Sequence, residues 1–489
     1  MVHYVAGKGE SIWDSFLHAH PEAVADHTNG DIAADFYHKY KEDVQRIKSL
    51  RLSAFRFSIS WPRIMPTGML NSLNQEGINF YNDLINELIA NGITPIITMY
   101  HWDLPQKLQD LGGWTNKIIS EYFEDYADIL FKCYGDRVCT YIQFYFYLFI
   151  YYNLRTHNVK WWVTINEPTK ITEGYGGNET GLGYPPNASE PGIGPYLAGH
   201  NMLLSHARVY HLYDRKYRVQ QKGYITIVLE TFWFEPLDNS SQADHDAAKQ
   251  TLEFNLGWFA NPIYSEEGDY PQIMKDIISN NSKKEGFRRS RLPEFTKDEL
   301  QLVRGSTDYF GLNQYTTNKV TFKEVGLSPS RARDIGVQFS VPEFWPTSET
   351  SKWEKVVPKG LRKLLKYIQD TYGKNFKIFI TENGYIDDGR IEDVHRMIYI
   401  ATYMMETWKA MYLDEVNVIG YTIWSLLDNV EWTSGYRSKA GIFRVDFNSS
   451  DRTRTPKYST LLVKQITATR CIPKNYVNYL NQLNDLEFT

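Results

Sequence analysis

The sequence is poor in cysteine and in long apolar runs, and each shortage excludes a class of protein. Only Cys133, Cys139 and Cys471 occur in 489 residues. They are too few for a disulfide framework, and no Cys/His spacing typical of a zinc site is present. The apolar stretch at 144–152 is too short to cross a bilayer. We therefore expect no metal, no other cofactor and no membrane partner.

Blocks of positive charge are also lacking. The chain has 53 Lys and Arg against 58 Asp and Glu, a formal charge of -5, and no basic run of the kind that neutralises phosphates. Nucleic acid is therefore not an expected partner, and a small-molecule substrate is expected instead. The composition leaves a homodimer open.

Residues 1–5 have neither the charged segment nor the apolar segment of a signal peptide. Acceptor triplets for N-glycosylation are nevertheless present, at Asn178, Asn187, Asn239, Asn280 and Asn448. On these triplets we expect a secreted, extracellular glycoprotein whose signal peptide is not part of this sequence.

From residue 52 onward, short β-rich runs alternate with amphipathic helical stretches, as in repeated βα units. The predicted strands are 54–60, 94–100, 160–165, 224–230, 309–313, 377–381 and 418–424. A (β/α)8 barrel needs eight strands, and barrels of this class commonly exceed the usual domain size. The pattern therefore predicts one α/β TIM-barrel domain over 1–489 that lacks all or most of its first strand.

An aromatic tract at 139–158 interrupts the approach to the third predicted strand. Three interpretations are open: a membrane-surface patch, an extra helix or hairpin, and translated intron sequence. We favour the last, because deletion of the tract joins two segments that read as continuous. A mature transcript that encodes 139–158 would exclude it.

Two glutamates occupy matched positions where apolar strands end. Glu167 precedes Pro168, and Glu382 precedes Asn383 and Gly384. Carboxyl groups at the carboxyl-terminal rim of a barrel can be desolvated and given different pKa values. Two such groups about 5 to 5.5 Å apart can cleave a glycosidic bond with retention of configuration.

The motifs around these glutamates resemble those of family 1 glycoside hydrolases, from residue 7 to residue 473. The resemblance lies in segments at 8–14, 55–61, 100–105, 164–168, 380–384 and 424–429, which occur in the family's order. It implies a β-glucosidase-type enzyme of the kind found in animals and insects, including myrosinase-type members.

The resemblance also assigns roles by motif. It implies that Glu167 is the general acid and base and that Glu382 is the nucleophile, with Arg56 and Tyr315 donating hydrogen bonds to Glu382. It further implies a substrate-binding set that consists of His101, Asn166, Asn313, Trp353, Trp424, Glu431 and Trp432. The expected substrate is a β-glucoside or an oligosaccharide.

Two alternatives to retaining hydrolysis of β-D-glucosides remain open at this stage. One is a thioglucosidase, for which Lys170, close behind Glu167, would meet an anionic aglycone. The other is a truncated, non-catalytic sugar-binding protein, because the family's first strand carries a glutamine for which no residue before Gly7 substitutes.

Overall fold

The computed structural model describes residues 7–135, 159–177, 184–188, 190–326, 328–348, 350–374 and 376–486. The aromatic tract at 139–158 and Asn178 lie outside these ranges, so the three interpretations of the tract stay predictions. The assignment of 1–489 to one domain also stays a prediction.

The described residues form twelve strands, which we number in chain order. They are β1 Ala54–Ser58, β2 Thr94–Tyr100, β3 Trp161–Asn166, β4 Tyr224–Glu230, β5 Trp233–Pro236, β6 Phe310–Asn313, β7 Thr317–Phe322, β8 Val337–Ser340, β9 Ile378–Gly384, β10 Val418–Trp424, β11 Phe443–Val445 and β12 Arg454–Pro456.

Eighteen α-helices are described and are numbered likewise. They are α1 Ile12–Ala19, α2 Phe36–Ser49, α3 Trp61–Ile64, α4 Gln75–Ala90, α5 Gln106–Gln109, α6 Ile119–Leu130, α7 Pro168–Glu173, α8 Gly194–Lys216, α9 Arg218–Gln221, α10 Gln242–Leu252, α11 Trp258–Tyr264, α12 Gln272–Lys284, α13 Lys297–Val303, α14 Arg331–Ile335, α15 Pro358–Tyr372, α16 Val394–Leu413, α17 Ser459–Thr469 and α18 Asn475–Leu486. No helix within the described ranges is both long enough and apolar enough to cross a membrane.

Seven parallel strands form the barrel sheet, in the order β1-β2-β3-β4-β6-β9-β10. Amphipathic helices pack on this sheet, and α4 is an example. Its apolar residues recur at helical spacing and are all buried, namely Ile78, Tyr81, Leu84, Ile85 and Leu88. Smaller sheets, β5-β7-β8 and β11-β12, lie outside the barrel. The predicted barrel with seven recognisable strands is confirmed.

Several predicted strand boundaries were wrong by one to three residues. The largest error concerns β9, which continues past the predicted end at 381 to Gly384. Glu382 therefore lies inside a strand and pairs with Asn313 of β6, so its backbone position is fixed by the sheet. Conversely, β1 ends at Ser58, because Ser60 already caps α3.

The barrel sheet is open between β10 and β1. In the described residues β1 pairs only with β2, and β10 pairs only with β9. A cavity of about 1310 Å³, lined by the full length of both strands, occupies the space where an eighth strand would close the barrel. Within the described residues, the predicted lack of a first strand corresponds to the unpaired edges of β10 and β1.

Candidate active site

Glu167 lies directly after β3, in a left-handed backbone conformation with φ of +50°. That conformation is costly for a residue with a Cβ atom and is often kept at functional sites. The side chain is 6% exposed, and its Oε1 accepts a hydrogen bond of 2.6 Å from Asn313 Nδ2. Burial, followed by the charges of Glu382 and Glu230, raises the pKa of Glu167 well above its usual value.

Glu382 has a cationic environment instead. Arg56 Nη1 donates to Glu382 Oε1 at 2.5 Å, and the Tyr315 hydroxyl donates to Oε2 at 2.6 Å. Burial and the neighbouring Glu382 charge keep the pKa of Tyr315 well above 10, so this phenol remains a donor. The two carboxyl groups therefore differ in kind: one is paired with a guanidinium, and the other with a neutral amide.

A continuous path of hydrogen bonds joins the two carboxyl groups. Arg56, which binds Glu382, also donates through Nη2 to Asn166 Oδ1 at 2.6 Å. The same oxygen accepts a bond of 3.2 Å from Asn313 Nδ2, which reaches Glu167. Side chains from β1, β3, β6 and β9 are thus held in one network at the rim.

The predicted sugar-binding residues gather beside Glu382. Asn166 Nδ2 lies 3.2 Å from His101 Nε2, and burial lowers the pKa of His101 to about 4, which keeps its ring neutral. The His101 ring lies 6.0 Å from the rings of both Trp424 and Trp432. Trp424 Nε1 donates to Glu431 at 3.3 Å, and burial raises the pKa of Glu431 to about 7.

Aromatic rings form a second wall, which reaches Tyr315 through Trp353, with 6.2 Å between the ring centroids. Trp353 is 44% exposed and stacks on Phe232, with 5.7 Å between ring centroids and 13° between planes. The Lys170 ammonium lies 5.8 Å from the Phe232 ring and 3.5 Å from Glu173. Lys170 therefore already has a carboxylate partner.

The structure brings every predicted site residue into contact with at least one other. The sequence predicts only a substrate-binding role for Asn313. In the structure its side chain also donates a hydrogen bond to the Glu167 carboxyl group. Sequence reasoning overlooked Glu230, which ends β4 and raises the pKa of Glu167. Its signal was the same as that of Glu167, a glutamate at the end of an apolar strand.

Metal ligands are a separate question. Within the described ranges, His, Cys, Asp and Glu side chains form no group of three or more that could hold a metal ion.

Known proteins share both the sequence and the fold. The model of glycosyl hydrolase family 1 matches residues 3–150 and 143–471, two stretches that overlap inside the 139–158 tract. Myrosinase 1 of Brevicoryne brassicae is 46% identical over 463 residues, 95% of this chain and 94% of its own. The cytosolic beta-glucosidase of Homo sapiens is 40% identical over 455 residues, 92% of this chain and 90% of its own.

The solved structure of an aphid myrosinase superposes with a TM-score of 0.86 at 45% identity, covering 95% of this chain and 94% of that one. The family model spans most of the sequence, and both relatives are aligned over nearly their full length. The alternative of a non-catalytic binding protein loses its support. The chain belongs to glycosyl hydrolase family 1 and is a glycoside hydrolase.

Proposed function

We propose that the protein hydrolyses β-D-glucosides with retention of configuration, through a glycosyl-enzyme on Glu382. The observation that carries this proposal is the contrast between the two buried carboxyl groups. Glu382 is paired with Arg56 and Tyr315, whereas Glu167 is held by the neutral Asn313. A carboxylate beside a cation suits nucleophilic attack, and a buried carboxyl with a raised pKa suits proton donation.

In the first step, a Glu382 oxygen forms a bond to the anomeric carbon while the bond to the leaving oxygen breaks. Glu167 gives its proton to that oxygen, so the aglycone leaves as a neutral alcohol. In the second step, Glu167 takes a proton from water, and the resulting hydroxyl displaces Glu382 from the sugar. Both carboxyl groups return to their starting state.

The change in the role of Glu167 follows from its surroundings. The negative charge of Glu382 is one cause of the raised pKa of Glu167. Formation of the ester removes that charge, so the pKa of Glu167 falls in the intermediate and the group can ionise. The same carboxyl thus serves as acid in one step and as base in the next.

The proposal is tested with p-nitrophenyl β-D-glucoside and Glu382→Ala as the control. We expect release of p-nitrophenol by the wild-type protein and none above background by the variant. Proton NMR at early times should show β-glucose before its α-anomer accumulates by mutarotation. Activity equal in the two proteins, or α-glucose as the first product, would contradict the proposal.

Hydrolysis of thioglucosides is the alternative within the same chemistry. It is supported by the similarity to Myrosinase 1 of Brevicoryne brassicae and by Lys170, which follows Glu167 closely in the sequence. Glu173 already pairs with Lys170 at 3.5 Å, which disfavours recruitment of an anionic aglycone. A sulfated thioglucoside assayed beside p-nitrophenyl β-D-glucoside distinguishes the two, and we expect the O-glucoside to be the better substrate.

We also propose that the protein is a secreted glycoprotein. The proposal is supported by the exposure of every acceptor asparagine in the described ranges, namely Asn187, Asn239, Asn280 and Asn448. Protein from the native source should migrate faster in gel electrophoresis after enzymatic removal of N-glycans. An unchanged mobility would contradict glycosylation at these positions.

A further inference from the structure

Glu230 ends β4 on the inner face of the barrel. The strand lies between β3, which leads into Glu167, and β6, which carries Asn313. Glu230 is in register with Asn313, whose side chain reaches inward to Glu167. Because residues in register on parallel strands point to the same face of the sheet, the Glu230 carboxylate also faces the rim of the cleft.

The Glu230 side chain is largely buried, and its carboxylate has no hydrogen-bond partner among the described residues. The residue is 7% exposed, and among the described residues no side chain or backbone group forms a hydrogen bond or ion pair with this carboxylate. With so little exposed surface, the carboxylate keeps only part of the hydration that a charged group has in water. A hydrogen-bond donor supplied by a ligand would satisfy it.

The surroundings of Glu230 indicate which part of a substrate would supply that donor. Glu167, the proposed acid, marks the glycosidic oxygen, and His101 and Trp424 lie on its sugar side. Two residues beyond Glu230, Phe232 forms an aromatic wall with Trp353. Glu230 therefore belongs to the side of Glu167 that receives the leaving group.

The charges on this side are balanced rather than positive. Lys170 supplies one cation, and it faces Glu173 at 3.5 Å and interacts electrostatically with Glu230. Arg331 is a second cation near Glu230, and its Nη2 donates to the side chain of Asn255 at 3.0 Å. An anionic leaving group would meet the Glu173 and Glu230 carboxylates beside these two cations.

We propose that Glu230 is an aglycone-binding residue, which accepts a hydrogen bond from a hydroxyl of an uncharged leaving group such as a second sugar. This inference rests on the proposed function and specifies its substrate class. It predicts that the enzyme prefers hydroxyl-bearing aglycones to anionic ones, since only the former satisfy the buried carboxylate.

Two substrates distinguish the contribution of the Glu230 contact to kcat/KM from that of the rest of the site. The aglycone of cellobiose carries hydroxyl donors, whereas that of p-nitrophenyl β-D-glucoside carries none. A hydrogen bond to a charged group corresponds to roughly tenfold to hundredfold in kcat/KM. We expect Glu230→Leu to lower the ratio of kcat/KM for cellobiose to kcat/KM for the aryl glucoside by that factor.

Two further variants serve as controls. Glu230→Gln keeps an acceptor oxygen, so its ratio of kcat/KM for cellobiose to that for the aryl glucoside should stay within about fivefold of wild type. Glu235→Gln also removes one negative charge near β4, but Glu235 bonds to Trp233 and Lys363 outside the cleft. This variant should match the wild type on both substrates.

A third substrate tests the charge preference. Against p-carboxyphenyl β-D-glucoside, Glu230→Gln should gain about fivefold in kcat/KM over wild type, because one repulsive carboxylate is removed. If Glu230→Leu does not fold, this arm alone decides the inference, and the absence of any gain overturns it.

The outcomes distinguish this inference from the proposed function. One outcome is an equal loss of kcat/KM by Glu230→Leu on cellobiose and on the aryl glucoside, with a shifted upper limb of the pH profile. That result would mean that Glu230 acts only on the pKa of Glu167, and it would overturn the inference. A wild-type protein inactive on both substrates would instead overturn the proposed function. Activity on both with an unchanged ratio in Glu230→Leu overturns the inference alone.

Discussion

The barrel rim has a closed half and an open half. From β3 through β4 and β6 to β9 the strands are paired without a break, and every residue of β9 is buried. In β10 only Val418 is buried, and in β1 no residue is. The difference lies beside the cavity of about 1310 Å³ that both edge strands line.

The two carboxyl groups proposed to be catalytic, Glu167 and Glu382, belong to the closed half. Glu382 lies inside β9, and the backbone of Glu167 is tied to β4 by a bond from its N–H to Val228 O at 2.9 Å. The open half contributes Arg56 from β1 and Trp424 from β10. The closed half therefore holds both proposed catalytic carboxyl groups, and the open half supplies a cation and the proposed sugar-binding wall from strands with fewer sheet neighbours.

The largest effect should come from the nucleophile in the closed half. Glu382→Gln removes the group that forms the glycosyl-enzyme, so kcat on p-nitrophenyl β-D-glucoside should fall by at least ~10³-fold. Steady-state kinetics checks this, and circular dichroism should show an unchanged fold. A folded variant that retains a tenth of the activity would contradict the assignment.

Glu167→Gln should show a loss that depends on the leaving group. For cellobiose, whose alcohol needs a proton to leave, we expect a fall in kcat of about 10²- to 10⁴-fold. For a 2,4-dinitrophenyl glucoside, which leaves without protonation, formation of the glycosyl-enzyme should remain fast and produce a burst. A uniform loss on both substrates would remove Glu167 from the role of acid.

Arg56→Met tests how far the closed half depends on the open one. The substitution leaves the Glu382 carboxylate buried without its cation, which costs about 3–5 kcal/mol when one partner of such a pair is removed. Urea unfolding should show this loss, and kcat/KM should fall with it. Arg56→Lys keeps the charge without the planar fork and should lie between the two proteins. A Met variant within ~1 kcal/mol of wild type would show that the pair is dispensable.

The raised pKa of Glu431 makes the free energy of unfolding of the protein depend on pH. Its folded pKa of about 7 exceeds its ordinary value of 4.5, so the native state favours the protonated form. This contribution to stability is fully present below pH 4.5 and is lost as the pH rises to about 7. Relative to wild type, Glu431→Gln should gain about 3 kcal/mol in unfolding free energy between pH 4.5 and pH 8.

The exposed Glu343 gives a matched control for that measurement, because Glu343→Gln removes a solvated carboxylate. The free energy of unfolding of this variant should follow the wild type at every pH. Equal slopes for the Glu431 and Glu343 variants would mean that Glu431 is not desolvated in the folded state.

Hydrogen exchange should reveal the two halves directly, with the smallest energetic difference. Amides of β1 and β10 have sheet neighbours on one side only within the described residues, so they should exchange roughly ten times faster than those of β3, β4 and β9. Mass spectrometry of peptides after deuterium labelling measures this. Equal protection of β1, β10 and β9 would contradict an open sheet.

Much of the closed half could be predicted from the sequence, since its strands are short apolar runs that end in polar residues. Glu167 and Asn313 were found in this way. The end of β9 was predicted too early, because the pairing of Glu382 with Asn313 depends on a neighbouring strand. The sequence predicts seven barrel strands, but the cavity between β10 and β1 depends on which of these strands become neighbours.

Glu230 shows the other limit of sequence reasoning. A strand-terminal glutamate is usually solvated or paired, and the low exposure of this one depends on the packing around β4. Likewise, the ion pair between Lys170 and Glu173 forms because α7 places the two residues on the same helical face. The sequence alone does not distinguish this ion pair from a solvated lysine.

Covalent trapping tests most directly whether Glu382 attacks the sugar. The protein is treated with 2,4-dinitrophenyl 2-deoxy-2-fluoro-β-D-glucoside, digested with pepsin and analysed by mass spectrometry. We expect one fluoroglucosyl group per chain, on the peptide that contains Glu382, and none in Glu382→Gln. Labelling of Glu167, or turnover of a normal glucoside with no covalent adduct, would contradict it.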